Sequence, residues 1–122
     1  MTAKEYLRGI IYADRQITDK QNVICRMELY DDHIMDRETK KIVTEMNKQL
    51  RAEIGQVVRK KKEAKELIDQ LESIPEQPIL TKRYIEGKTF EDISAEIYYS
   101  YRWVHRLHGR ALQKLDKILK ST

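Results

Sequence analysis

The residues best suited to chemistry in this 122-residue chain lie near its end. Tyr101, Arg102, His105 and Arg106 recur at helical spacing, which places them on one outward face of a helix. Such a helix fits the DNA major groove, where its first turns reach base edges. Arginine there offers two donors to guanine, a contact worth about 1–3 kcal/mol of discrimination, and Tyr101 and His105 add hydrogen bonds or packing on a thymine methyl. Lys82, Arg83, Lys88, Arg110 and Lys114 are candidate phosphate contacts. The helix starts at Thr89 and Ser100 can receive phosphates through free backbone N–H groups. The competing reading of Arg102 and Arg106 is an ordinary solvated helix face.

Charge placement bears on that choice. Residues 1–78 hold 15 Lys/Arg and 15 Asp/Glu and sum to zero. Residues 79–122 hold 9 Lys/Arg against 5 Asp/Glu, the whole +4 excess of the chain. Residues 100–122 alone hold 6 basic side chains and 1 acidic one. A basic stripe on one helix is the footprint expected for phosphate binding, although cations also suit the C-terminal end of a helix dipole. The other basic run, Arg59 to Lys62, is flanked by Glu63 and Glu66 and reads better as a solvated face.

Enzyme chemistry has no foothold. The chain lacks a Gly-rich phosphate loop, a Cys/His pairing and a convergent carboxylate motif, so neither catalysis nor a cofactor is expected. The acidic pairs Asp31-Asp32 and Glu91-Asp92 suit turns and helix starts. His33, His105 and His108 lack metal spacing, and no metal site is expected. Cys25 is the sole cysteine and cannot form an internal disulfide. No apolar run approaches the roughly 18 residues a membrane span needs, and MTAKEYLRGI lacks a signal-peptide core. A cytoplasmic protein away from membranes is expected.

The elements that must position these residues are helical. Charged residues make up 36% and aromatics 7%, with four Gly and two Pro, a mix typical of helices with long solvated faces. Thr2 to Glu5 reads as a capping box opening a helix over about 3–30, with Leu7, Ile10, Ile17, Ile24 and Met27 on one face and polar gaps at Asp14 and Gln21. Asp36 caps a second helix to about Leu71, with Ile42, Val43, Met46, Leu50, Ile54, Val57, Ala64, Ile68 and Leu71 as its stripe. These two predict a long antiparallel, coiled-coil-like hairpin, or a homodimer on the same stripes.

Pro75 and Pro78 mark the expected boundary between residues 1–74 and 75–122. Three shorter helices follow: about Glu76–Ile85, ended by Gly87; Thr89-capped to about Ile97; and Ser100-capped to about Leu119. In the last, Val104, Leu107, Ala111, Leu112 and Leu115 point to the core. Ser94 is expected where the two final helices come closest. Trp103 is expected part-buried against a neighbour and His108 exposed beside Gly109. The cluster Tyr98, Tyr99, Tyr101 and Trp103 leaves open a protein-binding patch instead.

The stretch RYIEGKTFEDISAEIYYSYRWVHRLHGRALQKL resembles the helix-turn-helix of region 4 in bacterial sigma factors. With the opening MTAKEYLRGI, it is similar to small phage-encoded regulators of Gram-positive hosts, a family related in plan to late-gene activators of the RinA and ArpU type. The resemblance implies an all-α protein with a C-terminal three-helix DNA-binding domain, in which Arg102, Trp103, His105 and Arg106 match the promoter-reading stretch and Val104, Leu107, Ala111 and Leu112 its core. Tyr98 departs from the pattern, standing where a turn usually has Gly. A residue other than glycine is strained there if φ is positive. The link from 31 to 38 is also shorter than the family's.

The function expected is therefore a sequence-specific phage or prophage transcription regulator that binds double-stranded DNA in a bacterial cell, at the nucleoid. Its N-terminal helices would dimerise or touch host RNA polymerase. Two alternatives stand beside it. One is a small terminase-like packaging subunit, which a large ring in solution would indicate. The other is a sigma-like adaptor that binds protein, which absence of a DNA shift at low salt would indicate.

Overall fold

The computed structural model describes residues 1–30 and 35–121, and all its regular structure is helical. Asp31, Asp32 and His33 lie outside the described residues, as does the first half of the link from 31 to 38. Five α-helices appear among the described residues: α1 (Ala3–Glu28), α2 (Arg37–Ile68), α3 (Glu76–Leu80), α4 (Phe90–Ile97) and α5 (Tyr101–Lys120).

Local chemistry explains where they begin and end. Thr2 Oγ1 accepts from the Glu5 N–H at 3.2 Å and Asp36 Oδ1 from the Thr39 N–H at 2.7 Å, so both long helices start on side-chain caps. α3 continues into a π-helical turn, Thr81–Ile85, in which the Glu86 N–H reaches the Thr81 carbonyl. Gly87, at φ 74°, then reverses the chain so that the Lys88 N–H bonds the Lys82 carbonyl. Only glycine takes that φ without cost.

Packing divides the chain elsewhere than at the prolines. One compact unit comprises residues 1–11 and 60–122, the other residues 12–59, so α1 and α2 each contribute to both. In the second unit Ile17 and Ile24 of α1 bury against Leu50 and Val57 of α2, supported by Ala13, Met46 and Ile54. Lys20 Nζ meets Glu53 at 2.8 Å and Asn47 Nδ2 meets Glu28 at 3.3 Å, so these segments run antiparallel. The expected stripe holds except at Ile42, which is 55% exposed.

The first unit has two cores. Ala3, Leu7 and Ile10 of α1 join Ala64, Ile68 and Leu71, Leu80 and Tyr84, and Ala111, Leu112 and Leu115 of α5. The Ala3 N–H donates to Asp116 Oδ1 at 2.6 Å, tying the start of α1 to the far end of α5. Ile79, Ile93, Val104 and Leu107 form the other core, with Phe90 and Ile97 at its edge. A buried carboxylate, Glu76, is held by Lys114 Nζ at 2.8 Å and by the Ser73 hydroxyl. Burying that charge is tolerable only with such partners.

Candidate nucleic-acid interface

The α4–α5 corner is built from two side-chain caps and one left-handed residue. Thr89 Oγ1 accepts from the Asp92 N–H at 3.1 Å while Asp92 accepts from the Thr89 N–H, a complete capping box. α4 ends at Tyr98, whose φ of 60° and ψ of 33° are the left-handed conformation that the missing glycine made a concern. The Ser94 hydroxyl donates to the Tyr99 carbonyl and ties the turn to α4. Ser100 Oγ accepts from the Trp103 N–H at 3.1 Å and starts α5.

With α5 fixed by Val104 and Leu107 in the core, its opposite side faces solvent. Tyr101, Arg102, His105 and Arg106 are all exposed. Tyr101 and His105 touch, their ring centroids 4.5 Å apart in an edge arrangement. Ser100, Arg102, Trp103 and Arg106 line a shallow concavity of about 300 Å³. Among the described residues, neither Arg102 nor Arg106 has a side-chain partner. Four expected site residues thus share one exposed surface, with the two arginines unneutralised.

The expected phosphate contacts fare differently. Lys88 is paired with Glu96 and lies 3.6 Å from Glu86; Lys82 Nζ is 3.4 Å from Glu96. The hydrogen bond with Lys88 holds the Glu96 carboxyl below its ordinary pKa and raises that of Lys88. Lys114 is engaged by Glu76 and by the Ser73 hydroxyl at 2.7 Å. Arg83 donates to the Lys88 carbonyl at 3.0 Å and stacks over Phe90 at 4.6 Å. Arg110 lies 5.4 Å from the centre of the Trp103 ring. The hydroxyls of Thr89 and Ser100 serve as caps. Of these seven residues, Lys82, Lys88 and Lys114 are already ion-paired within the fold.

Two expectations are corrected. Trp103 joins none of the hydrophobic cores; it is 37% exposed, on the solvent side beside Arg106 and Arg110. At 3.6 residues per turn Trp103 lies about 100° round the helix from Val104, on the flank it shares with Arg110. His108 is half-buried rather than exposed, with Nε2 2.7 Å from the Tyr84 hydroxyl. It stacks on Tyr84 and meets Phe90 edge-on, and Phe90 in turn packs at a tilt on His105 with ring centroids 4.2 Å apart. Sequence reasoning missed this chain of rings from Tyr84 to Tyr101. Its one visible signal was the spacing of Tyr101, His105 and His108 along a helix face. Burial, reinforced by the positive charges of His105, Arg83, Lys4 and Arg8, pushes the His108 pKa down to about 4. Burial likewise raises Tyr84, against the opposing pull of Arg83 and Arg8.

Among the described residues, no group of three or more His, Cys, Asp or Glu is placed to hold a metal ion, and no helix is long and apolar enough to cross a membrane. No curated protein and no solved structure matches the chain. A family model does match, over residues 36–116, which takes in α2 through most of α5 and more than half of the chain. The chain therefore belongs to the family described as protein of unknown function (DUF1492).

Proposed function

We propose that the chain is a sequence-specific DNA-binding regulator of transcription, of phage or prophage origin, in which α4 and α5 act as a helix-turn-helix and α5 enters the major groove. One observation carries this reading. Arg102 and Arg106 stand one turn apart on the first turns of a capped helix, exposed and without partners, whereas three nearby lysines are already neutralised by carboxylates. Free guanidinium groups at a helix start are what bidentate reading of guanine requires. Tyr101 and His105 extend the reading surface. The paired α1 and α2 segments of residues 12–59 are the natural place for a second copy or for host RNA polymerase, and the protein would act at the nucleoid.

The test is anisotropy with a labelled duplex selected from a random-sequence pool. Arg102→Ala and Arg106→Ala should each weaken binding to the selected duplex by about tenfold or more, while non-specific binding at low salt falls less. Parent-like binding by both variants would overturn the recognition role.

The exposed aromatic surface favours one further reading, a sigma-like adaptor that meets protein. Tyr98 is 92% exposed, and Tyr99, Tyr101 and Trp103 are also open to solvent. No shift of any duplex at low salt would favour that alternative.

A further inference from the structure

The five cations expected to touch phosphate all come from the C-terminal third, yet the fold brings the start of α1 beside α5. Leu7 packs in the same core as Ala111, Leu112 and Leu115, and the Ala3 N–H is fixed to Asp116. Lys4 and Arg8 flank Leu7, one helical turn apart. Both are exposed, and among the described residues neither has an ion pair or side-chain hydrogen bond. Their charges, with those of Arg83 and His105, all reach the His108 ring, and that of Arg8 also reaches Tyr84. Cations from α1 and the π-helical turn therefore converge on one flank of α5. No carboxylate pairs with Lys4, Arg8 or Arg83 among the described residues.

This flank has a defined relation to the surface that carries Arg102 and Arg106. At 3.6 residues per turn, His105 lies at one edge of the exposed stripe of α5, while Trp103 and Arg110 lie at the other. A helix about 10–12 Å across fills a major groove about 12 Å wide, so the two phosphate backbones run along its two flanks. A helix that places Arg102 and Arg106 on base edges thus presents its His105 side to one backbone. The cations of α1 stand on that side.

We propose that Lys4 and Arg8 form a phosphate-backbone binding site on duplex DNA, continuous with Arg83, that clamps one wall of the groove entered by α5. This rests on the DNA-binding reading above and adds to it a task for the N-terminal helix. The site carries no sequence information. It sets register and affinity, as phosphate contacts do, leaving discrimination to the base-edge residues.

The experiment measures duplex binding by anisotropy from low to moderate salt for the full chain. Three double variants are compared with the parent: Lys4→Ala/Arg8→Ala, Arg102→Ala/Arg106→Ala, and Arg37→Ala/Lys41→Ala. The last removes the same charge from exposed positions at the start of α2. Each contacted phosphate contributes about 0.9 to the slope of log K against log salt. The Lys4/Arg8 variant should therefore show a slope shallower by about 2 and binding weaker by about tenfold at low salt. It should lose affinity equally on selected and random duplexes, and the Arg37/Lys41 variant should keep the parental slope.

An unchanged slope for Lys4/Arg8, with affinity lost in Arg102/Arg106, overturns this site and leaves the DNA-binding reading standing. An equal drop in the Arg37/Lys41 variant also overturns it, since net charge would then explain the effect. A parent that binds no duplex overturns both. Lys4→Glu/Arg8→Glu, with thermal unfolding as the control for folding, should abolish the residual phosphate contribution. Parental affinity in that folded variant would count against the site.

Discussion

At the scale of single residues, Tyr98 and His108 are the informative departures. Tyr98 takes left-handed φ and ψ with its side chain 92% exposed, so little packing offsets the backbone cost. That conformation costs an L-residue about 1–2 kcal/mol, part of which glycine returns through the greater freedom of its unfolded chain. Tyr98→Gly should therefore raise stability by about 0.5–1 kcal/mol, read as a higher urea midpoint at unchanged slope. A lower midpoint would mean that the Tyr98 ring makes a stabilising contact. His108 makes the opposite kind of prediction. Its pKa is about 4 in the fold against 6.5 as the ordinary value, so the unfolded chain binds its proton first as pH falls. The stabilising effect of keeping the ring neutral is complete above pH 6.5 and is lost as pH falls toward 4. Between pH 7 and 5 this should cost about 1 kcal/mol, the linkage figure being halved because part of the ring meets solvent. His108→Gln should flatten that part of the urea-stability profile. An unchanged profile would assign the acid sensitivity to other groups.

At the scale of elements, the boundaries of the last third were legible because each is set by local chemistry. Thr89 and Ser100 are capping residues followed by apolar periodicity, and both cap as expected. Gly87 lies at the positive φ that ends the helix expected from Glu76, although that helix widens into a π-turn with no sequence signature. The buried side of α5 was legible for the same reason: Val104, Leu107, Ala111, Leu112 and Leu115 recur at helical spacing and are all buried. What periodicity cannot convey is which partner covers a face. Leu7 and Ile24 sit on one face of α1, yet they enter different cores. Trp103 and His108 were misjudged for a related reason. Their surroundings depend on where Arg110, Tyr84 and Phe90 come to lie, and those are contacts made across the fold. Lys4 and Arg8 were invisible as candidates because the first 78 residues sum to zero charge, and a sum conceals where individual cations are brought.

At the scale of the whole molecule, the prolines and the packing mark different divisions. A cut at residue 74 leaves α3, α4 and α5 together but strips the larger core of Ala3, Leu7, Ile10, Ala64, Ile68 and Leu71, six of the eleven buried residues described in it. Full burial of a leucine or isoleucine side chain contributes about 1.5–3 kcal/mol, so the four such residues among the six represent about 6–12 kcal/mol. A domain's entire stability is about 5–15 kcal/mol. The fragment 75–122 should therefore retain helical signal without a cooperative unfolding transition, while the full chain unfolds sharply in urea. The surface proposed to bind DNA would then depend on the first turns of α1 for its rigidity, because α5 is anchored along Ala111, Leu112 and Leu115 by residues the fragment lacks. A sharp transition in the isolated fragment would show instead that the smaller core of Ile79, Ile93, Val104 and Leu107 suffices to hold α4 against α5. In that case the start of α1 would be an addition to a domain that folds without it.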